Sequence, residues 1–233
     1  MSGRSIAPRL ARAVVIADGD VPARPALDAA WPGWSEGRGL VVAADGGALG
    51  ATRLGLRPDL VVGDLDSLAP SEVERLRHEG IEVETWPAAK DASDAELALR
   101  AALARDPVAV TILGALGGSR FDHALANVWL LALPEAAGRE VVLLDERTRV
   151  RLLTAPGRLD LSGRPGDLVT LLAFGGDADG VTTEGLAYPL RDEPLAAGPS
   201  RGLSNVRIDR RASVAVRAGR LLVIEIHEEG VLP

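Results

Sequence analysis

The run Leu60-Val61-Val62 ends in Gly63-Asp64-Leu65-Asp66-Ser67, an apolar segment followed by a glycine and two carboxylates two residues apart. In an extended segment, side chains at i and i+2 point the same way. Asp64 and Asp66 therefore face one place at the carboxyl end of a strand, the edge where open α/β sheets hold ligands. Two anions held side by side repel unless a cation or a proton lies between them. A hard divalent ion resolves the conflict, and Mg²⁺, which takes carboxylate and phosphate oxygens together, is the natural choice. Gly, Asp and Ser also build ordinary solvated turns. This segment alone leaves both readings open.

Three other groups carry polar chemistry at similar places. In Ala44-Asp45-Gly46-Gly47 the paired glycines admit close backbone approach, and N–H groups at a helix start suit phosphate. A tight strand-to-helix connection accounts for the same pair. In Lys90-Asp91-Ala92-Ser93-Asp94, Asp91 reads as a helix N-cap, with Asp94 three residues on in a capping-box-like arrangement. That spacing also sets both carboxylates on one face of the first turn, so Asp94 reads equally as a further metal ligand. Lys90 is the single lysine against 25 arginines, and its point charge suits a phosphate oxygen. Gly114-Ala115-Leu116-Gly117-Gly118-Ser119-Arg120-Phe121-Asp122-His123 is the last group. There Arg120 suits a bidentate grip on polyphosphate. Asp122 sits where an N-cap belongs, or where a metal ligand or substrate-orienting group would. His123 reads either as a donor to a transferring phosphoryl group or as a surface residue at a helix start.

The elements that position these groups alternate over the first 145 residues. Strands are expected at 13–17, 40–43, 60–62, 81–84, 108–113 and 141–144. Helices are expected at 47–54, 71–78, 94–104 and 122–133. This alternation implies βαβ units on a largely parallel, Rossmann-like sheet. Its tips are rich in Asp and Gly, including Asp18-Gly19-Asp20 after the first strand. Beyond residue 145 the texture changes to short apolar runs at 149–153, 157–161, 168–174, 180–186, 206–208, 213–216 and 221–227, divided by Gly, Pro and Asp turns. No helix is expected there, and the pattern fits an antiparallel β-sandwich. The expected domains are 1–145 and 146–233.

Composition excludes several classes. With 47% apolar residues the 233-residue chain has ample material for a core. A net charge of −7, with two Phe and one Tyr, opposes both an anionic-membrane binder and a nucleic-acid stacking platform. The absence of Cys excludes disulfides and thiolate chemistry. Met1 to Arg12 lacks the apolar run of a signal peptide, and no stretch is long enough for a bilayer span. A cytoplasmic protein is expected.

Taken together, these residues in this order resemble the thiamine pyrophosphokinase (thiamine diphosphokinase) family. The resemblance runs through Ala44–Gly47, Pro58-Asp59, Gly63–Ser67, Lys90–Asp94 and Gly114–His123. It continues through Thr183-Glu184-Gly185-Leu186, Tyr188 and Leu190 to Gly202-Leu203-Ser204-Asn205, so it covers both halves of the chain. Ser93 stands where the family has Thr and keeps the hydroxyl, and Val206 stands where an acidic residue often follows Ser-Asn. The resemblance implies an α/β domain, a β-sandwich and a homodimer with sites at the subunit interface. It also implies transfer of the diphosphoryl group of ATP to the hydroxyl of thiamine, giving thiamine diphosphate and AMP. Asp45, Asp64, Asp66 and Asp94 are then the metal- and phosphate-handling carboxylates, with Mg²⁺ on Asp64, Asp66 and Asp94. Arg120 and Asp122 become the ATP-side and substrate-positioning pair. Ser204 and Asn205 match the thiamine pocket. The rivals are a diphosphokinase for another hydroxymethyl heterocycle, such as a pterin, and a non-catalytic thiamine or nucleotide binder.

Overall fold

The structure is a computed structural model and describes residues 10–228. The reading of the first residues as free of a leader falls mostly on residues 1–9, outside that range. The chain divides into two compact units, Met1–Glu146 and Arg147–Pro233.

The first unit alternates strands and helices: β1 (Arg12–Ile16), α1 (Arg24–Ala30), β2 (Arg38–Ala44), α2 (Gly47–Arg53), β3 (Leu60–Gly63), α3 (Pro70–His78), β4 (Glu82–Thr85), α4 (Asp94–Leu103), β5 (Ala109–Leu113), α5 (Phe121–Trp129) and β6 (Glu140–Leu144). The strands lie in the order β6-β5-β1-β2-β3-β4, and every pairing among them is parallel. Strands covered on both faces read as unbroken apolar runs, and Ala13 through Ile16 are fully buried. The order runs outward from β1 in both directions, so β1 marks the topological switch where such sheets form a ligand crevice. Trp31 and Trp34, just beyond α1, are 5% and 4% exposed and anchor their indole N–H groups on Asp145 O (2.7 Å) and Asp28 Oδ1 (2.8 Å). Helix α1 has no counterpart in the sequence reading. It is seven residues long, carries Pro at its start and buries only Leu27, too little for a visible period. The helix expected at 122–133 stops at Trp129 and tightens into a 3₁₀ turn, Leu130–Ala132.

The second unit contains β7 (Thr148–Thr154), β8 (Gly157–Leu161), β9 (Leu168–Ala173), β10 (Ala178–Glu184), β11 (Glu193–Leu195), β12 (Asn205–Val206), β13 (Ala212–Val216) and β14 (Arg220–Ile226). They form antiparallel sets β12-β9-β14-β7 and β11-β10-β13-β8. Leu153, Val169, Leu171, Leu221 and Val223 of the first set share one core with Leu161, Val181, Leu195, Val214 and Val216 of the second, which makes a β-sandwich. Strand β11, three residues long, is too short to read from sequence. On β14, Glu225 is 2% exposed and takes Arg149 at 2.8 and 2.7 Å, Arg151 at 2.8 Å and the Ser162 N–H at 2.7 Å. That number of donors is what keeps a buried carboxylate tolerable.

Candidate active site

The carboxyl ends of β1, β2, β3 and β5, with the starts of α4 and α5, enclose a cleft of about 430 Å³. Asp18, Asp45, Asp64, Asp66 and Asp94 line it together with Gly114, Gly117, Gly118, Arg120 and His123. Asp45, Asp64 and Asp66 each place a carboxylate oxygen within 4.8 Å of the others, and among the described residues they are the only such group.

Local backbone geometry brings them together. Asp45 adopts φ +46° and Leu65 φ +64°, left-handed turns that swing the flanking side chains inward. Gly63 has φ +154°, and a Cβ there would come to 2.9 Å from Asp94 Oδ1 and 3.1 Å from Asp45 Cβ, so the strand end must be glycine to seat both acids. Gly46 and Gly47 serve packing. A Cβ on Gly46 would reach 2.2 Å from Asp18 Oδ1, and one on Gly47 would reach 2.2 Å from the Ile16 carbonyl. Neither is among the residues lining the cleft, so their expected role in holding phosphate rests on sequence alone.

The electrostatics are uneven. Asp45, 3% exposed, is pushed up to about 6, first by burial and then by Asp18 and Asp66, against an opposing bond from the Ser67 N–H. Its Oδ1 is buried with no hydrogen-bond partner. Asp18 keeps solvent contact yet is also raised, chiefly by partial burial and further by Asp66 and Asp94. Asp64 moves the other way, held low mainly by its bond from Lys90 Nζ at 2.9 Å. Lys90 Nζ also lies 3.1 Å from Asp94 Oδ1. Burial pulls Lys90 down, but the two carboxylates together outweigh it and raise it. A buried carboxylate oxygen without a donor, beside two more carboxylates, fits a hard divalent cation. The expected trio of Asp64, Asp66 and Asp94 thus differs from the converging one. Asp45 is the third member of the converging group, and Asp94 lines the same cleft while paired to Lys90, so the expected Mg²⁺ set of Asp64, Asp66 and Asp94 shares one cleft.

Two capping expectations are corrected. The N-cap of α4 is Ser93, not Asp91: Ser93 Oγ accepts the Glu96 N–H at 3.2 Å. The box is half made, because the Glu96 carboxylate turns to Arg100 at 2.9 Å. Asp94 is consequently the first helical residue, aimed at the cleft, and Asp91 is exposed in the preceding loop. The N-cap of α5 is Arg120, not Asp122. Asp122 instead accepts two bonds from Arg120, at 2.9 and 2.6 Å, and the guanidinium holds its carboxyl well below the usual range. Arg120, Ser119 and His123 line the cleft; Asp122 does not.

Asp18, Ser67 and Asn127 are cleft residues that the sequence reading left out of its site. Asp18 had a signal in its Asp-Gly-Asp strand tip. Asn127 had none: it is buried mid-helix and bonds to the Ala115 carbonyl at 3.0 Å, holding the glycine loop to α5.

Ser204 and Asn205 lie in the second unit. Ser204 has φ +54°, and its N–H donates to Thr170 Oγ1 at 2.9 Å. The buried Asn205 amide clamps Tyr188, taking its N–H at 3.0 Å and giving to its carbonyl at 2.7 Å. Asn205 thereby fixes the turn that presents Tyr188, which is 71% exposed.

Residues 34–143 match the family described as thiamin pyrophosphokinase, catalytic domain, and residues 158–221 match thiamin pyrophosphokinase, vitamin B1 binding domain. The chain belongs to the thiamine pyrophosphokinase family. A thiamine pyrophosphokinase of Bacillus subtilis (strain 168) is 28% identical over 193 residues, 82% of this chain and 89% of that protein. The crystal structure of thiamine pyrophosphokinase from Bacillus subtilis overlays with a TM-score of 0.81 at 25% identity, covering 93% of this chain and 99% of that one. That of a thiamin pyrophosphokinase family protein from Enterococcus faecalis gives a TM-score of 0.78 at 27% identity, covering 94% and 100%. Every first-unit cleft residue except Ala17, Asp18 and Gly19 falls inside the stretch matched to the family's catalytic domain.

Proposed function

We propose that this chain transfers the diphosphoryl group of ATP to the hydroxyl of thiamine, releasing AMP. The hydroxyl oxygen attacks the β-phosphorus in line, the bond from that phosphorus to the α,β-bridging oxygen breaks, and the hydroxyl proton leaves to solvent. The convergence of Asp45, Asp64 and Asp66 in a cleft that Arg120 also lines carries this reading. Asp64 and Asp66, with Asp45 and the neighbouring Asp94, would hold Mg²⁺, which when bound neutralises phosphate charge and fixes the orientation of the chain of phosphates. Arg120 and His123 face the same space and supply donors to phosphate oxygens. Exchanging its bond to Asp122 for one to phosphate lets Arg120 keep a bidentate anion throughout. Transfer of this kind depends mainly on positioning and electrostatic stabilisation, so no strong general base is required.

In this reading 1–145 is the ATP- and metal-binding catalytic domain, 146–233 is the thiamine-binding domain with a share in dimerisation, and α5 of the first unit supplies a further part of the dimer face. Ser204 and Asn205 shape the thiamine side through Tyr188 rather than by offering the Asn205 amide, which is already engaged. A homodimer is part of the proposal, supported by the exposed apolar stripe Phe121, Leu125 and Trp129 on α5. The cytoplasm, where ATP and free Mg²⁺ are at hand, is the proposed compartment. No helix among the described residues is long and apolar enough to cross a membrane.

The test is AMP release from ATP with Mg²⁺, in the presence of thiamine, of a hydroxymethylpterin, or of neither. AMP formed with thiamine alone is the expected outcome. Release with the pterin instead, or no release at all, overturns the assignment.

A further inference from the structure

Lys90 is buried against the acids it touches: its side chain is 9% exposed, and its Nζ lies 2.9 Å from Asp64 Oδ2 and 3.1 Å from Asp94 Oδ1. We propose that Lys90 is a resident counter-ion of the acidic cleft, competing with the divalent cation for Asp64 and so setting how tightly that cation is held. The inference rests on the metal reading above and goes beyond it.

Asp64 belongs to two groupings at once. Its carboxylate lies within reach of Asp45 and Asp66, and its Oδ2 accepts from the ammonium. Around the cleft stand five carboxylates, Asp18, Asp45, Asp64, Asp66 and Asp94. Lys90 hydrogen-bonds to Asp64 and ion-pairs with Asp94, while Asp45 Oδ1 and Asp94 Oδ1 are both buried without a hydrogen-bond partner. Without a divalent ion, Lys90 thus sets one ammonium against five carboxylates, on the Asp64 and Asp94 side. An arriving dication meets an ammonium already bonded to one of its ligands, and like charges a few Å apart oppose each other. An ammonium has three donors, so a phosphate contact by Lys90, as the sequence suggests, either adds to these two pairings or replaces one of them. A compact ammonium on a flexible stem suits that exchange, which a planar guanidinium in a fixed fork would not.

The experiment is calorimetric titration of the full chain with Mg²⁺ alone, without nucleotide, for the wild type, Lys90→Met and Lys90→Arg. Lys90→Met should bind Mg²⁺ about tenfold tighter, the order expected for removing a unit charge a few Å from a dication at high effective dielectric. Lys90→Arg should stay within about threefold of wild type, because the charge remains. Lys90→Met should also melt lower than wild type in chelator and gain more from Mg²⁺. If it fails to fold in chelator, recovery of its helical signal on adding Mg²⁺ supports the proposal, and failure to recover at saturating Mg²⁺ overturns it. Equal or weaker binding by folded Lys90→Met overturns it, as does equal tightening in Lys90→Arg, either with the metal reading intact. A wild type that binds no Mg²⁺ overturns both.

Discussion

Asp45 sits almost wholly inside the protein, in a left-handed backbone conformation, with one carboxylate oxygen lacking any donor. Its folded pKa, about 6, lies above the ordinary value of 3.8, so the folded chain holds this proton more tightly than the unfolded chain does. The resulting stabilisation is full below about pH 4 and is lost as pH rises through about 6. In chelator, urea unfolding should therefore show stability falling across that window by on the order of 3 kcal/mol, and Asp45→Asn should flatten the slope. Added Mg²⁺ should remove most of the loss at pH 7. Asp66 tests the same site through catalysis. Asp66→Asn keeps the shape and deletes the charge, so kcat for AMP release should fall at least about a hundredfold at saturating Mg²⁺, roughly 3 kcal/mol of transition-state stabilisation. Near-normal turnover would remove Asp66 from the metal site.

At the scale of elements, the site depends on where helices begin. Ser93 ends the loop and starts α4, which makes Asp94 the first helical residue at the cleft. Ser93→Ala should cost about 1 kcal/mol in urea unfolding, while Ser93→Thr, which restores the hydroxyl, should recover it. The parallel sheet was legible because every strand but β4 (Glu82-Val83-Glu84-Thr85) carries an apolar run that leads into Gly or Asp, a pattern local in sequence. The converging carboxylates were half legible. Asp64 and Asp66 announce themselves by spacing, whereas the nearness of Asp45 to both depends on the β2–β3 register, Ala44 opposite Val62, which no local pattern encodes. The misplaced caps have a similar cause. Asp91, Ser93 and Asp122 all have capping chemistry, and propensity cannot choose between candidates two residues apart when tertiary packing fixes the first turn. Helix α1 and strand β11 were too short to carry a period at all.

The whole molecule joins a catalytic-type α/β unit to a sandwich, and each has a core of its own. Along α5 the stripe Phe121, Leu125 and Trp129 is 78%, 48% and 51% exposed, at the i, i+4, i+8 spacing of one helix face. If that face joins two copies, light scattering should give a dimer for the wild type and a monomer for Leu125→Glu; an unchanged mass would move the interface elsewhere. The aromatic inventory gives these experiments a built-in optical readout. All four tryptophans, Trp31, Trp34, Trp86 and Trp129, fall in the first unit, and the lone tyrosine, Tyr188, falls in the second. Indole emission therefore reports on the α/β half alone, and Trp86, 37% exposed in the same β4–α4 connection as Lys90, is the fluorophore placed to sense a change there. The sandwich half is dark at wavelengths that excite only indole, so a change in that emission marks unfolding of the α/β half even when the sandwich is intact.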